Sequence, residues 1–136
     1  MKIAIIGTGY VGLVTGTCFA EMGNIVTCID NDKNKIDNLN KGIVPIYEPG
    51  LDELIRRNAD SGRLLFSTNL LSAMNDSNIL IIAVGTPESA TGEANMDFVF
   101  NVAREIGTNL CQESIVVTKS TVPVGTAEKI KTIILE

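Results

Sequence analysis

Three glycines and one aspartate, Gly7, Gly9, Gly12 and Asp30, have types and spacing suited to holding a diphosphate and a ribose hydroxyl. In Gly7-Thr8-Gly9-Tyr10-Val11-Gly12 each glycine has a mechanical task. Gly7 allows a tight turn, Gly9 lets the backbone come close to a pyrophosphate, and Gly12 lets a helix pack on the preceding strand. A helix that starts here presents unpaired N–H groups and the positive end of its dipole, so a diphosphate is attracted without Lys or Arg. Asp30 offers a carboxylate that accepts from a ribose 2′-hydroxyl and repels a 2′-phosphate.

Those groups work only if the flanking elements place them. Ile3-Ala4-Ile5-Ile6 reads as an apolar strand leading into the glycines. Val11, Val14, Thr15, Cys18, Phe19 and Met22 follow at i, i+3, i+4 spacing and predict a helix buried on that face, which Gly23-Asn24 ends. Ile25 to Ile29 then forms a second strand that carries Asp30 at its tip. This context separates a dinucleotide fingerprint from an ordinary glycine-rich turn, and Asp30 favours NAD over NADP. Asp30 could instead cap the next helix, a role open equally to Asn31 or Asp32.

Beyond Asp30, residues 34–40 predict a short amphipathic helix ending at Gly42, and Pro45-Ile46-Tyr47-Glu48-Pro49-Gly50 a stiff connector. Helix resumes over 51–58. A short strand over 64–67, a short helix over 69–76 and an apolar strand over 79–84 follow, the last suited to a central parallel position. After Gly85-Thr86-Pro87 and a polar loop over 88–95, a helix is expected from about Asp97 to Leu110, with Val99, Val102, Ala103, Ile106 and Leu110 on one face. Ile115 to Thr118 reads as a further buried strand, 119–125 as a loop, and Thr126 to Leu135 as a last helix. Alternating short apolar strands and helices predict one α/β domain over 1–136: a doubly wound parallel sheet of Rossmann type in three α/β/α layers.

In such sheets ligands lie outside the carboxyl ends of the strands, near the reversal of strand order. Three loops qualify: residues 7–12, 85–87 and 120–125. Thr86 and Thr121 each place a hydroxyl at such a strand end, although both residue types also serve simply to close local turns.

Composition removes other chemistry. With no histidine, neither Ser-His-Asp nor Cys-His catalysis nor a His-ligated metal can be built, and no metal site is expected. Cys18, Cys28 and Cys111 include no C-x-x-C pair; Cys18 is expected on the buried face of the first helix and Cys28 inside the second strand, as small apolar fillers. The net charge of −5 and the scattered basic residues argue against nucleic acid as a partner. The apolar run over 79–84 is far too short to span a bilayer, and residue 2 already enters a strand, so a soluble cytoplasmic protein with no membrane partner is expected.

Four ordered segments carry a resemblance. Residues 2–13 (Lys2 to Leu13), Pro45-Ile46-Tyr47-Glu48-Pro49-Gly50-Leu51, Val84-Gly85-Thr86-Pro87, and Thr118-Lys119-Ser120-Thr121-Val122-Pro123-Val124-Gly125-Thr126 together resemble the N-terminal domain of the UDP-glucose/GDP-mannose dehydrogenase family. The resemblance covers essentially the whole chain. It implies oxidation of UDP-glucose by two NAD⁺ and water to UDP-glucuronate and two NADH, within nucleotide-sugar metabolism and polysaccharide biosynthesis. It also implies that Val11 and its neighbours contact the pyrophosphate and that Asp30 and Lys35 hold the adenosine ribose. Thr86 and Thr121 would line the cofactor, Thr121 would be a catalytic, water-positioning group near the reacting carbon, and Tyr10 would face the dinucleotide or sugar.

In that family the chain continues into a glutamate-bearing strand, a connecting helix and a second domain with a lysine, an asparagine and the catalytic cysteine. Those central and C-terminal parts have no counterpart in this sequence, which ends at Glu136. The second oxidation passes through an enzyme-bound thiohemiacetal and thioester, which requires an activated thiol beside the sugar. The expectation is an NAD-binding domain that is inert alone and self-associates into a homo-oligomer through an exposed apolar sheet edge. Two other readings stay open: a dehydrogenase for GDP-mannose or a UDP-N-acetylhexosamine, and a non-enzymatic NAD-binding module.

Overall fold

A computed structural model describes all 136 residues. The elements in chain order are β1 (Lys2–Ile6), α1 (Tyr10–Glu21), β2 (Ile25–Ile29), α2 (Lys33–Asn40), α3 (Leu51–Asp60), β3 (Leu64–Ser67), α4 (Leu70–Asn75), β4 (Ile79–Ile82), α5 (Asp97–Asn109), β5 (Ile115–Thr118) and α6 (Thr126–Leu135). The five strands are all parallel, in the order β3-β2-β1-β4-β5. The chain winds outward from β1 to one edge, then returns to β1's other side. The reversal therefore falls between β1 and β4, where the crossover connections diverge and leave a crevice.

Alternation along β1 serves both faces. Ile3 and Ile5 join Leu13, Ile36, Ile55 and Leu64 in one buried cluster under α1 to α3; Ala4 and Ile6 join Met74, Val99, Ile106 and Ile130 in the other, under α4 to α6. Burial on both faces is why β1 and β4 are continuous apolar runs. No helix is long and apolar enough to cross a membrane.

Two expectations need correction. The first helix buries Gly12, Leu13, Gly16, Thr17 and Ala20, while Val11, Cys18 and Met22 are exposed. Cys18 is therefore not a core filler. The helix lies so close to the sheet that bulk is excluded: a Cβ at Gly16 would stand 2.5 Å from Cys28 Sγ. In a helix that is apolar on most sides, hydrophobic spacing does not say which face goes inward, and the distance of approach selects the small residues. The second correction is β5, expected to be buried. It is an edge strand, with Ile115 64% and Val117 39% exposed on the face that no helix covers, and Val116 packed on the opposite side. An apolar run reports affinity for a core, not the number of neighbouring strands.

Candidate functional site

The loop between β1 and α1 is held by two mutually dependent glycines. Gly7 has φ +105°, and a Cβ there would lie 2.6 Å from the Ala83 carbonyl oxygen. A Cβ at Gly12 would lie 1.8 Å from the Gly7 carbonyl oxygen, so the first turn of α1 sits directly on the loop. Gly9 differs: its backbone is ordinary extended chain (φ −70°, ψ −171°), and a Cβ there would meet nothing within 4 Å. The openness above Gly9 is the space a phosphate needs. α1 has no side-chain cap, and the N–H groups of Tyr10, Val11 and Gly12 have no acceptor within the chain. These are free donors at the positive end of a helix.

Beside the loop, at the end of β2, Asp30 is anchored as an anion. Its Oδ2 accepts from the Thr8 N–H at 2.9 Å, from Thr8 Oγ1 at 2.8 Å and from Lys35 Nζ at 2.9 Å, and Oδ1 accepts from the Asp32 N–H at 3.0 Å. Burial opposes ionisation, but the N–H groups of Asp32 and Thr8, with Lys35 and the Thr8 hydroxyl, outweigh it and hold the Asp30 carboxyl down at about 2. Asp32, not Asp30, caps α2 by accepting from the Lys35 N–H at 3.1 Å. Asp30 is thereby released from capping, and Oδ1 keeps room for a further donor. Thr8, to which the sequence analysis gave no role, fixes the carboxylate and is itself buried.

Gly7, Gly9, Asp30 and Lys35 line one cavity of about 760 Å³ at the carboxyl ends of β1, β2 and β4. Its remaining walls come from Thr68 and Leu70 at the start of α4, Ala83 to Gly85 after β4, and the face of α5 that carries Phe98, Asn101, Val102 and Glu105. Sequence reasoning missed the α5 wall and counted Val102 as core. The signal lay in the polar residues at 101 and 105 beside the apolar stripe.

Tyr10, Val11, Gly12, Thr86 and Thr121 lie outside this wall. The Tyr10 hydroxyl donates to Glu48 Oε2 at 2.6 Å, drawing the 45–50 connector to the start of α1; that hydrogen bond and the Glu48 charge raise the Tyr10 phenol above its ordinary value. What Tyr10 and Val11 offer the crevice is backbone N–H. Thr86 and Thr121 do meet: Thr86 Oγ1 donates to the Thr121 carbonyl at 2.9 Å, joining the loops after β4 and β5. Ser120 Oγ reinforces the junction by donating to the Val84 carbonyl at 2.7 Å. Thr121 Oγ1 makes no hydrogen bond within the chain and is exposed. Cys28 is sealed in the sheet, where burial pushes its thiol up to about 12.

The donors and acceptors fit a dinucleotide: an open approach at Gly9, free N–H groups for a diphosphate, and an anchored carboxylate beside the loop for a ribose. Comparison with known proteins agrees. Residues 1–136 match the family described as "UDP-glucose/GDP-mannose dehydrogenase family, NAD binding domain". UDP-glucose 6-dehydrogenase TuaD of Bacillus subtilis (strain 168) is 53% identical over 133 residues, covering 98% of this chain and 29% of that protein. Among solved structures, a ternary complex of GDP-mannose dehydrogenase from Pseudomonas aeruginosa superposes with a TM-score of 0.95 at 37% identity, over 98% of this chain and 32% of that one. A UDP-glucose dehydrogenase from Pyrobaculum islandicum superposes with a TM-score of 0.92 at 36% identity, over 97% and 32%. This chain thus spans under a third of the length of these proteins. It belongs to the UDP-glucose/GDP-mannose dehydrogenase family and is an NAD-binding domain of Rossmann type.

Proposed function

We propose that this chain is the cofactor-holding part of an enzyme that oxidises UDP-glucose to UDP-glucuronate, and that the 136 residues alone bind NAD without turning over the sugar. The observation that carries the reading is the pairing of unpartnered N–H groups at Tyr10, Val11 and Gly12 with the anchored Asp30 carboxylate around one crevice. In this assignment Gly7, Gly9, Gly12 and the Tyr10 and Val11 backbone receive the diphosphate, and Asp30 with Lys35 holds the adenosine ribose. Thr86 and Thr121 flank the nicotinamide half. Bound NAD⁺ supplies the hydride acceptor. Thr121, whose hydroxyl is free while its carbonyl is held by Thr86, is the group we assign to position water or the reacting carbon.

The substrate assignment is supported by the 53% identity to the Bacillus subtilis enzyme. The likeness to GDP-mannose dehydrogenase favours a second reading, in which the sugar nucleotide is GDP-mannose. The proposal extends to a cytoplasmic setting, consistent with two nucleotide ligands, and to self-association through the exposed Ile115 and Val117 face of β5.

Calorimetric titration with NAD⁺, NADP⁺ and UDP-glucose, each separately, tests this. Heat with NAD⁺ alone supports a cofactor half-site. Absence of heat with either dinucleotide overturns it, and steady NADH production from UDP-glucose by the purified chain overturns the claim that it is inert.

A further inference from the structure

The cavity carries more recognition than a diphosphate and a ribose require. Phe98, Asn101, Val102 and Glu105 face it from α5 as one stripe at i, i+3, i+4, i+7, with Leu70 among the residues of the other walls. Phe98, Val102 and Leu70 supply apolar surface suited to the faces of a flat ring. Asn101 and Glu105 are the polar members of the stripe. Asn101 Oδ1 accepts from Arg104 Nη1 at 2.8 Å, which leaves the Nδ2 hydrogens free to donate. The Glu105 carboxylate makes no hydrogen bond and no ion pair within the chain; only its backbone carbonyl is engaged, by Asn109. One free donor and one free acceptor, both on solvent-exposed residues, therefore stand a helical turn apart on the wall of the cavity that also holds Asp30 and Lys35.

Adenine presents the matching pattern: an exocyclic 6-amino group that donates, ring nitrogens beside it that accept, and two apolar faces. We infer that α5 reads the purine of the dinucleotide, with Glu105 accepting from the 6-amino group and Asn101 donating to a neighbouring ring nitrogen, so that the site selects adenine over a 6-oxopurine. This inference rests on the NAD reading above and adds base specificity to it. A 6-oxo group would set a carbonyl oxygen against the Glu105 carboxylate, two acceptors with no proton between them, and a site that hydrogen-bonds a substituent rejects the analogue lacking it.

The test is calorimetric titration of the chain and its E105Q variant with NAD⁺ and with the deamino analogue, nicotinamide hypoxanthine dinucleotide. The expected result is about tenfold weaker binding of the analogue by the unaltered chain, the cost of one mismatched hydrogen bond to a charged group. E105Q should bring the two affinities to within about twofold, because an amide can accept from an amino group or donate to a carbonyl. If NAD⁺ binds but the analogue binds equally, or if E105Q leaves a tenfold preference, the inference is overturned and the NAD reading stands. If neither dinucleotide binds the unaltered chain, the NAD reading itself falls and this inference with it. NAD⁺ binding by E105Q also reports that the variant is folded, and a variant that has lost it is replaced by E105A, for which the preference for NAD⁺ should likewise shrink.

Discussion

Two regions at the carboxyl ends of the strands are built differently. At the Asp30 end, one carboxylate collects four hydrogen bonds from three residues, its side chain is only 11% exposed, and walls from β1, β2, α4 and α5 enclose it. At the Thr121 end, one bond from Thr86 and one from Ser120 tie two loops together, and the Thr121 side chain is exposed. The Tyr10–Glu48 pair at the start of α1 is exposed as well. The first end is preorganised by residues of this chain alone. In the assignment proposed above, the Asp30 end takes the adenosine half of the cofactor and the Thr121 end the reacting half, which must remain open to a second reactant.

The comparison can be broken most severely at Gly12, on which both ends depend because it seats α1 on the Gly7 loop. Gly12→Ala places a Cβ 1.8 Å from the Gly7 carbonyl oxygen, a backbone atom that cannot move aside cheaply. Loss of about 3 kcal/mol or more of stability is expected, read from denaturant midpoints, with the loss of NAD binding following from it. Gly9→Val separates function from fold. Its side chain enters empty space, so stability should change by under about 1 kcal/mol while NAD⁺ affinity falls at least about tenfold by steric exclusion of the diphosphate. Unchanged affinity would move the diphosphate away from this loop.

Asp30→Ala sharpens the contrast by emptying only the enclosed end. NAD⁺ affinity should fall about tenfold, and discrimination against NADP⁺ should relax as Lys35 is freed from its 2.9 Å contact to meet a 2′-phosphate. The pH dependence follows from the sign of the shift. The Asp30 carboxyl is held down at about 2, below the 3.8 ordinary for the group, so its stabilisation is fully present above about pH 4 and is lost as pH falls through 2. Thermal melts of the unaltered chain should show this acid-side loss, and Asp30→Ala should lack it. The smallest effect belongs to the exposed Tyr10–Glu48 pair. Glu48→Gln removes the charge that raises the Tyr10 phenol, so spectrophotometric titration should show that phenol ionising at lower pH, with NAD⁺ affinity unchanged.

Much of this was legible before any coordinates. The β1–glycine–α1–β2–Asp30 unit could be read because each step is local: a strand, a turn only glycine can make, a helix start and a carboxylate a fixed distance along the chain. Three parts were not legible. The buried face of α1 turned on its distance from the sheet, which Gly16 and Cys28 decide together from separate elements. The exposure of β5 turned on its place at the edge of the strand order. The α5 wall turned on a crossover that lays residues 98–105 beside residues 30–35.

The sequence alone determined the alternation of strand and helix, the fold class, the glycine loop and the NAD-binding character, because each depends on short-range stereochemistry and on residue types at fixed spacing. Only the tertiary structure decided that Thr8 converges on Asp30 and that Thr86 reaches Thr121. Those contacts join residues up to 35 positions apart, and their partners are set by strand order and packing distance, which no local pattern encodes.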